Sequence, residues 1–154
     1  MIGPALDRDV IVCCGAGGVG KTTVSAALGL ALASRGEDVV VVTIDPARRL
    51  AAALGMHELG DDPQEVSRDA IAEAGLGPGG GRMWALQLDS KATFDRLVAR
   101  HAPTEEARER IMANRIYQHM SGAVAGAQEY MAVERLFELR EDGRFARIVL
   151  DTPP

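Results

Sequence analysis

Glycines, a lysine and two threonines occur near the start of the chain with the spacing of a phosphate-binding loop. The segment matches the pattern G-x-x-x-x-G-K-[ST] and consists of Gly15, Ala16, Gly17, Gly18, Val19, Gly20, Lys21, Thr22 and Thr23. Glycine lets consecutive backbone N–H groups turn toward phosphate oxygens. We therefore expect this loop to bind the phosphates of a nucleotide, with Lys21 as a catalytic contact to the β- and γ-phosphates and Thr22 as a ligand of Mg²⁺.

The residues on either side of the loop are those that the motif requires. An apolar run at 10–14 predicts a strand that leads into the loop, and residues 24–33 predict a helix whose positive end points at the bound anion. The alternative is a glycine-rich turn that only joins a strand to a helix. A lysine in the first turn of a helix is unfavourable unless an anion lies nearby, so we favour the phosphate site.

Two aspartates that follow strand-like runs are the candidate acidic groups of the same site. Residues 39–44 precede Asp45, and residues 146–150 precede Asp151. Ligands of parallel α/β sheets bind beyond the carboxyl ends of the strands, so both aspartates are expected beside the loop. Asp45 is expected to orient a water molecule or to hold the Mg²⁺ shell; the alternative is that it caps a short helix that Pro46 begins. Asp151 has the layout of a Walker-B aspartate, which binds the Mg²⁺ shell.

The order of the predicted elements indicates an α/β fold of the P-loop NTPase type, with three α/β/α layers and a mostly parallel sheet. Strands are predicted at 10–14, 39–44, 83–88 and 146–150. Residues 54–82 predict turns, and the glycine-rich part at 75–81 predicts a flexible surface loop. A helical insert is expected at approximately 90–142, between the two aspartates. Because base recognition must lie beyond Asp151, residues 1–154 are expected to be the N-terminal part of one longer ATPase domain.

Apolar residues recur at helical spacing through the predicted insert. They are Ile111, Met112, Ile116, Met120, Tyr130, Val133, Leu136, Phe137 and Leu139. Such stripes usually form core, and a groove for an apolar client is the alternative. Asp89, Ser90 and Thr104 are predicted to cap helices of the insert. The adjacent Cys13 and Cys14 are expected to be buried as small hydrophobic residues.

Composition gives no support for a nucleic-acid-binding, membrane-spanning or secreted protein. The 154 residues are 47% hydrophobic and 25% charged, with a formal net charge of −5. The acidic balance gives no reason to expect nucleic acid or an anionic membrane surface as a partner. No segment approaches the length of a membrane span, and the first residues lack the layout of a signal peptide. We expect a cytoplasmic protein.

The loop, the Val42–Ala47 segment and the Val149–Pro153 segment together resemble the ArsA-type anion-transporting ATPases. This family includes the arsenite-pump ATPase and the ATPase that targets tail-anchored membrane proteins. The resemblance runs over essentially the whole chain and points to an actinobacterial branch. It implies a dimeric, Mg²⁺-dependent ATPase with nucleotide near the subunit interface. It also implies that Asp45 lies in switch I and activates water, and that Asp151 opens switch II.

One loop position departs from the family pattern. The family normally has a lysine there that reaches the nucleotide of the partner subunit, and this chain has Ala16. A cation supplied by a partner accelerates P-loop enzymes on the order of 10³- to 10⁵-fold. We therefore expect a heterodimer with a homologous subunit that carries the lysine; a homodimer is the alternative. Arg48 or Arg49 could also substitute for the missing cation.

Two other functions compete with this hypothesis. A partition or septum-positioning ATPase would bind DNA or a membrane, and the Asp151–Pro154 segment suits it equally well. The Asp45–Ala47 segment after the second predicted strand and the helical insert both favour the ArsA-type ATPase over this function. A regulatory subunit that binds nucleotide with little turnover is the third candidate, because of Ala16. These residues do not identify the client, which is a protein or an ion. The resemblance implies that arsenite binds to cysteines away from the loop, and this chain has cysteines only at Cys13 and Cys14 on the first strand, so metalloid transport is disfavoured.

Overall fold

The computed structural model describes residues 6–73, 80–118 and 126–153. Its sheet has five strands in the order β1-β5-β2-β4-β3. These are β1 (Val10–Cys13), β2 (Val39–Thr43), β3 (Gln64–Glu65), β4 (Met83–Gln87) and β5 (Arg147–Asp151). Four strands are parallel, and β3 pairs antiparallel with β4. The structure thus confirms the predicted α/β class with a mostly parallel sheet.

Helices occupy the segments between the strands. They are α1 (Lys21–Ser34), α2 (Arg49–Ala53), α3 (Arg68–Glu73), α4 (Ser90–His101), α5 (Glu105–Met112) and α6 (Ala127–Asp142). The chain divides into two compact units. The first holds the sheet with α1, α2 and α3 and comprises the residues up to Leu88 together with those from Leu139 onward. The second, Asp89–Glu138, is helical in its described residues.

The central strand β2 carries aliphatic side chains on both faces, and all five of its residues are buried. This pattern is typical of a parallel strand covered on both sides. Helix α1 approaches the sheet closely at Gly29. A Cβ atom there would lie 2.6 Å from Val41 Cγ2 and 2.7 Å from Met83 Cε, so only glycine permits this packing. The lack of a side chain at Gly29 thus lets α1 pack closely against β2 and β4.

The segment predicted as turns, 54–82, contains β3 and α3, so that prediction was incomplete. The two residues of β3 are exposed and show no apolar alternation; their pairing with Trp84 and Ala85 of β4 defines the strand. Of the predicted glycine-rich loop at 75–81, residues 75–79 lie outside the described residues. Gly81 is buried, and a Cβ atom there would lie 2.3 Å from the backbone oxygen of Glu37.

Helices of the second unit begin where Asp89 and Thr104 predict, whereas Ser90 is the first residue of α4 and not its cap. Asp89 accepts hydrogen bonds from the backbone N–H groups of Lys91 and Ala92, at 2.8 and 3.0 Å. Thr104 accepts one from Ala107 at 3.2 Å. All three hydrogen bonds satisfy backbone donors that a helix N-terminus leaves without partners.

Helix α6 buries two charged residues together with apolar ones, and three of its large apolar residues are exposed. Tyr130, Val133 and Phe137 are 62%, 65% and 52% exposed, whereas Arg135 and Glu138 are buried. The guanidinium of Arg135 lies 2.7 Å from the Glu138 carboxylate, so the two buried charges pair. The prediction that the apolar stripe forms core is therefore wrong for these three residues.

The same correction applies to two other residues of the stripe and to one cysteine. Ile111 and Ile116 are 37% and 68% exposed, while Leu139 is buried as predicted. Met120 lies outside the described residues. Cys13 is half-buried, but Cys14 is exposed because it follows the last residue of β1 and enters the loop.

Candidate active site

The predicted phosphate loop connects β1 to α1 at the carboxyl edge of the sheet. Gly18 and Gly20 have φ angles of 78° and 91°, a conformation that side chains with a Cβ atom rarely adopt. Gly20 is the residue before the first turn of α1. The glycine spacing therefore has a local reason, because the backbone must turn left-handed twice before the helix starts.

Lys21 folds back over the loop. Its ammonium group donates hydrogen bonds to the backbone oxygens of Gly15 and Ala16, at 2.9 and 3.0 Å. The first turn of α1 holds no acidic side chain. A positive side chain thus lies at the positive end of a helix dipole, an arrangement suited to an anion.

A buried carboxylate lies next to the loop. Asp151 is fully buried and accepts hydrogen bonds from the hydroxyls of Thr22 at 2.8 Å, Thr43 at 3.1 Å and Ser25 at 3.5 Å. Among the described residues, no Lys, Arg or His nitrogen lies within 4.0 Å of it. A buried charge without a cationic partner is costly. The oxygen donors at this point therefore fit a hard divalent cation such as Mg²⁺, which Thr22 and Asp151 would hold.

Sequence reasoning missed two of these three hydroxyls, those of Thr43 and Ser25. Thr43 is the polar residue in an otherwise aliphatic run, which is the signal that could have identified it. Ser25 follows Thr22 by three residues and therefore lies on the same side of α1. Their contact with Asp151 depends on the pairing of β2 with β5 and on the position of α1.

Asp45 follows β2 and lies on the same side of the sheet as the loop. Its Oδ1 accepts a hydrogen bond from the backbone N–H of Ala47, and its Oδ2 accepts one from Nη1 of Arg49, both at 2.9 Å. Helix α2 begins at Arg49 with Arg48 before it, so Asp45 does not cap a helix that starts at Pro46. It closes a turn between β2 and α2.

A cavity of about 260 Å³ brings most of the predicted side chains together. It is lined by Gly18, Gly20, Lys21, Thr22, Thr23, Asp45, Arg49, Ala53 and Thr152. The loop residues Gly15, Ala16, Gly17 and Val19 do not line it. Asp151 lies beneath it and joins it through the hydroxyl of Thr22. The roles assigned to these residues from sequence stay predictions.

Within the described part of the chain, no helix is both long enough and apolar enough to cross a membrane.

Comparison with known proteins identifies the family. The family described as Anion-transporting ATPase matches residues 8–154. ATPase GET3 of Malassezia globosa is 28% identical over 144 residues, which are 94% of this chain and 38% of that protein. ATPase ARSA1 of Chlamydomonas reinhardtii is 26% identical over 96% of this chain and 21% of its own length.

A shorter match has a higher sequence identity. The putative arsenical pump-driving ATPase 1 of Aquifex aeolicus is 46% identical over 61 residues, which are 40% of this chain and 14% of that protein. The chain spans less than two fifths of the length of these curated relatives. The family match covers nearly all of the chain, including the loop and both aspartates, and the chain therefore belongs to the ArsA-type anion-transporting ATPase family.

Proposed function

We propose that this chain supplies the phosphate-binding part of a Mg²⁺-dependent ATPase that converts ATP and water to ADP and phosphate. The observation that carries the proposal is the 2.8 Å hydrogen bond from Thr22 Oγ1 to Asp151 Oδ2. These residues are 129 positions apart, and their contact joins the loop to the end of β5. A buried carboxylate bonded to the loop hydroxyl is the arrangement that Mg²⁺ needs in P-loop ATPases.

Each side chain has a proposed role. Lys21 binds the β- and γ-phosphates, and Thr22 and Asp151 hold Mg²⁺, which neutralises phosphate charge when it is bound. Asp45 orients the attacking water and forms part of the Mg²⁺ shell. The loop backbone of residues 15–23 holds the phosphates.

The partner is proposed from Ala16. Its side chain is a methyl group on an exposed part of the loop, so it supplies no cation to a second nucleotide. We propose a heterodimer with a homologous subunit that carries a lysine at this position. That partner would complete the site of this chain, whereas this chain would not complete the site of its partner. A homodimer would lack the cation at both sites.

Nucleotide binding and steady-state ATP hydrolysis test the proposal in the full natural chain. The variant Lys21→Ala should lose Mg-ATP binding and turnover. Lys91→Ala is the matched control, since Lys91 is the other lysine of the sequence and pairs with Asp95 at 2.7 Å in the helical unit. If Lys21→Ala binds and turns over ATP like the unmodified protein, the proposal is wrong.

The proposed partner is tested by measuring the ATP turnover of this protein alone and in the presence of a homologous subunit that carries the lysine. An increase with the homologue supports the heterodimer, and full turnover as an isolated homodimer contradicts it.

A regulatory subunit is the second candidate, and Ala16 is the observation that favours it. Tight ATP binding without phosphate release, even beside a lysine-bearing homologue, would select this function. For the ATPase and for the regulatory subunit alike, we propose a cytoplasmic location and a client that is a protein or an ion.

A further inference from the structure

Both oxygens of the Asp45 carboxylate accept hydrogen bonds from neighbouring residues in this conformation. Its two oxygens accept hydrogen bonds from the Ala47 backbone and from the Arg49 guanidinium, both at 2.9 Å. Arg49 therefore competes with water for Oδ2 of Asp45.

Arg49 is placed to move away from Asp45. Its side chain is 61% exposed, whereas the Asp45 side chain is 15% exposed, and both line the cavity together with Lys21. An exposed ion pair contributes little to stability, so the contact is easily exchanged. A guanidinium binds phosphate through two parallel hydrogen bonds, and a triphosphate in the cavity would compete for it.

The neighbouring arginine points elsewhere. Arg48 adopts a left-handed backbone conformation with φ of 54°, and its guanidinium lies 3.3 Å from the carboxylate of Glu58. It does not line the cavity. Two adjacent residues with the same charge thus have different surroundings, and the structure distinguishes them where the sequence could not.

We infer that Arg49 is a nucleotide sensor that exchanges the Asp45 carboxylate for the terminal phosphate of bound ATP. This inference rests on the proposed ATPase function and assigns regulation to the same site. In the nucleotide-free state Arg49 pairs with Asp45. When ATP binds, the guanidinium turns to the γ-phosphate and leaves the carboxylate available to water. ADP has no phosphate at that point, so the pair persists.

The inference also bears on Ala16. A cation contributed by Arg49 within the same subunit would stand in for part of the charge that the loop lacks. It would make the response to ATP, as opposed to ADP, depend on a residue of this chain and not only on a partner.

Equilibrium binding tests the inference without relying on turnover. Dissociation constants for Mg-ADP and for a non-hydrolysable Mg-ATP analogue are measured in the full natural chain and in Arg49→Gln, Arg49→Lys and Arg48→Gln. For Arg49→Gln, affinity for the ATP analogue should fall roughly 10- to 100-fold while that for ADP stays within about twofold, because one charge-assisted contact to the γ-phosphate is lost. Arg49→Lys should lie between Arg49→Gln and the unmodified protein, and Arg48→Gln should keep the unmodified ratio.

Three results overturn the inference, and they can be distinguished from one another. If the unmodified protein binds nucleotide and Arg49→Gln keeps its preference between ATP analogue and ADP, the sensor is wrong while the proposed function stands. If the unmodified protein binds neither nucleotide with Mg²⁺ present, the proposed function fails as well. Equal losses of both affinities in Arg49→Gln also contradict the sensor, since they indicate a general effect on the cavity.

Discussion

The hydroxyl of Thr43 donates a hydrogen bond to Oδ2 of Asp151 at 3.1 Å, between residues that face each other in adjacent parallel strands. The same hydroxyl oxygen accepts a hydrogen bond from the backbone N–H of Asp45 at 3.2 Å. Thr43 therefore connects the buried carboxylate of the proposed Mg²⁺ site to the start of the segment that carries Asp45 and Arg49. One side chain positions both ends of the site.

Replacing Thr43 by valine should weaken both stability and Mg²⁺ dependence. Valine keeps the shape but removes the donor to a buried carboxylate, so we expect a loss of about 1–3 kcal/mol in the free energy of unfolding. The affinity for Mg-ATP should fall as well, because Asp151 and Asp45 lose a shared contact. Urea unfolding and nucleotide titration measure the two effects.

Thr93→Val is the matched control for that variant. Thr93 is also buried, and its hydroxyl donates to the backbone oxygen of Asp89 at 3.0 Å in the helical unit. This substitution should affect stability but not the Mg²⁺ dependence of ATP binding. Equal effects of the two substitutions on Mg²⁺ dependence would contradict the role assigned to Thr43.

Asp151→Asn should remove the gain in ATP affinity that Mg²⁺ provides. The amide cannot supply the charge that a hard divalent cation requires, while the loop and Lys21 stay available for phosphate. Titration with ATP in Mg²⁺ and in a chelator gives the two affinities, which should become equal in the variant. Ser25→Ala serves as the comparison, because its contact with Asp151 is the longest of the three at 3.5 Å, and it should keep most of the Mg²⁺ effect.

Gly29→Ala should destabilise the protein although alanine is the better helix former. In an open helix this substitution would stabilise by roughly 1 kcal/mol. Here the added methyl group would lie 2.6 Å from Val41 Cγ2, so we expect a net loss of about 1–3 kcal/mol. Thermal or urea unfolding gives the sign. Adding Val41→Ala should recover part of the loss, and simple additivity of the two changes would show that the clash is absent.

The ion pair between Asp38 and Arg82 should make stability depend on pH in the acid range. The hydrogen bond from the Arg82 guanidinium lowers the pKa of the Asp38 carboxyl below its ordinary value. A lowered pKa in the folded state stabilises the protein above the unfolded-state pKa, and this contribution is lost as the pH falls through the folded-state pKa. The stability difference between the unmodified protein and Asp38→Asn should thus be present at neutral pH and shrink below about pH 4.

Urea unfolding midpoints between neutral and acid pH measure that difference. Asp62→Asn, at an exposed position of the same unit, is the control and should show a smaller change. A pH-independent difference for Asp38→Asn would contradict the assigned cause.

Features that depend on neighbouring residues in the chain were predictable. The loop and the parallel strands follow from local rules: glycine where φ is positive, and aliphatic runs where a strand is covered on both faces. The capping residues Asp89 and Thr104 acted as predicted because a cap bonds to backbone only two or three residues away.

Features that depend on contacts between distant parts of the chain were not predictable from the sequence. Thr43 and Asp151 are 108 positions apart, and their contact exists because β2 and β5 pair in one register. The two exposed residues of β3 form a strand because β4 lies beside them. In α6 the spacing of apolar residues is visible in the sequence, but which of them are buried depends on the packing. The buried face holds Met131 and Leu139 together with the paired Arg135 and Glu138.

Arg48 and Arg49 show the same difference between what the sequence predicts and what the tertiary structure decides, in two adjacent residues. Their charge and position beside Asp45 are plain from the sequence, which indicates a cation near the site. The left-handed turn at Arg48 directs one guanidinium to Glu58 and the other to Asp45. Residue types and local spacing thus establish the chemistry available to this protein, whereas the direction of each side chain depends on backbone geometry and on partners that only folding brings within reach.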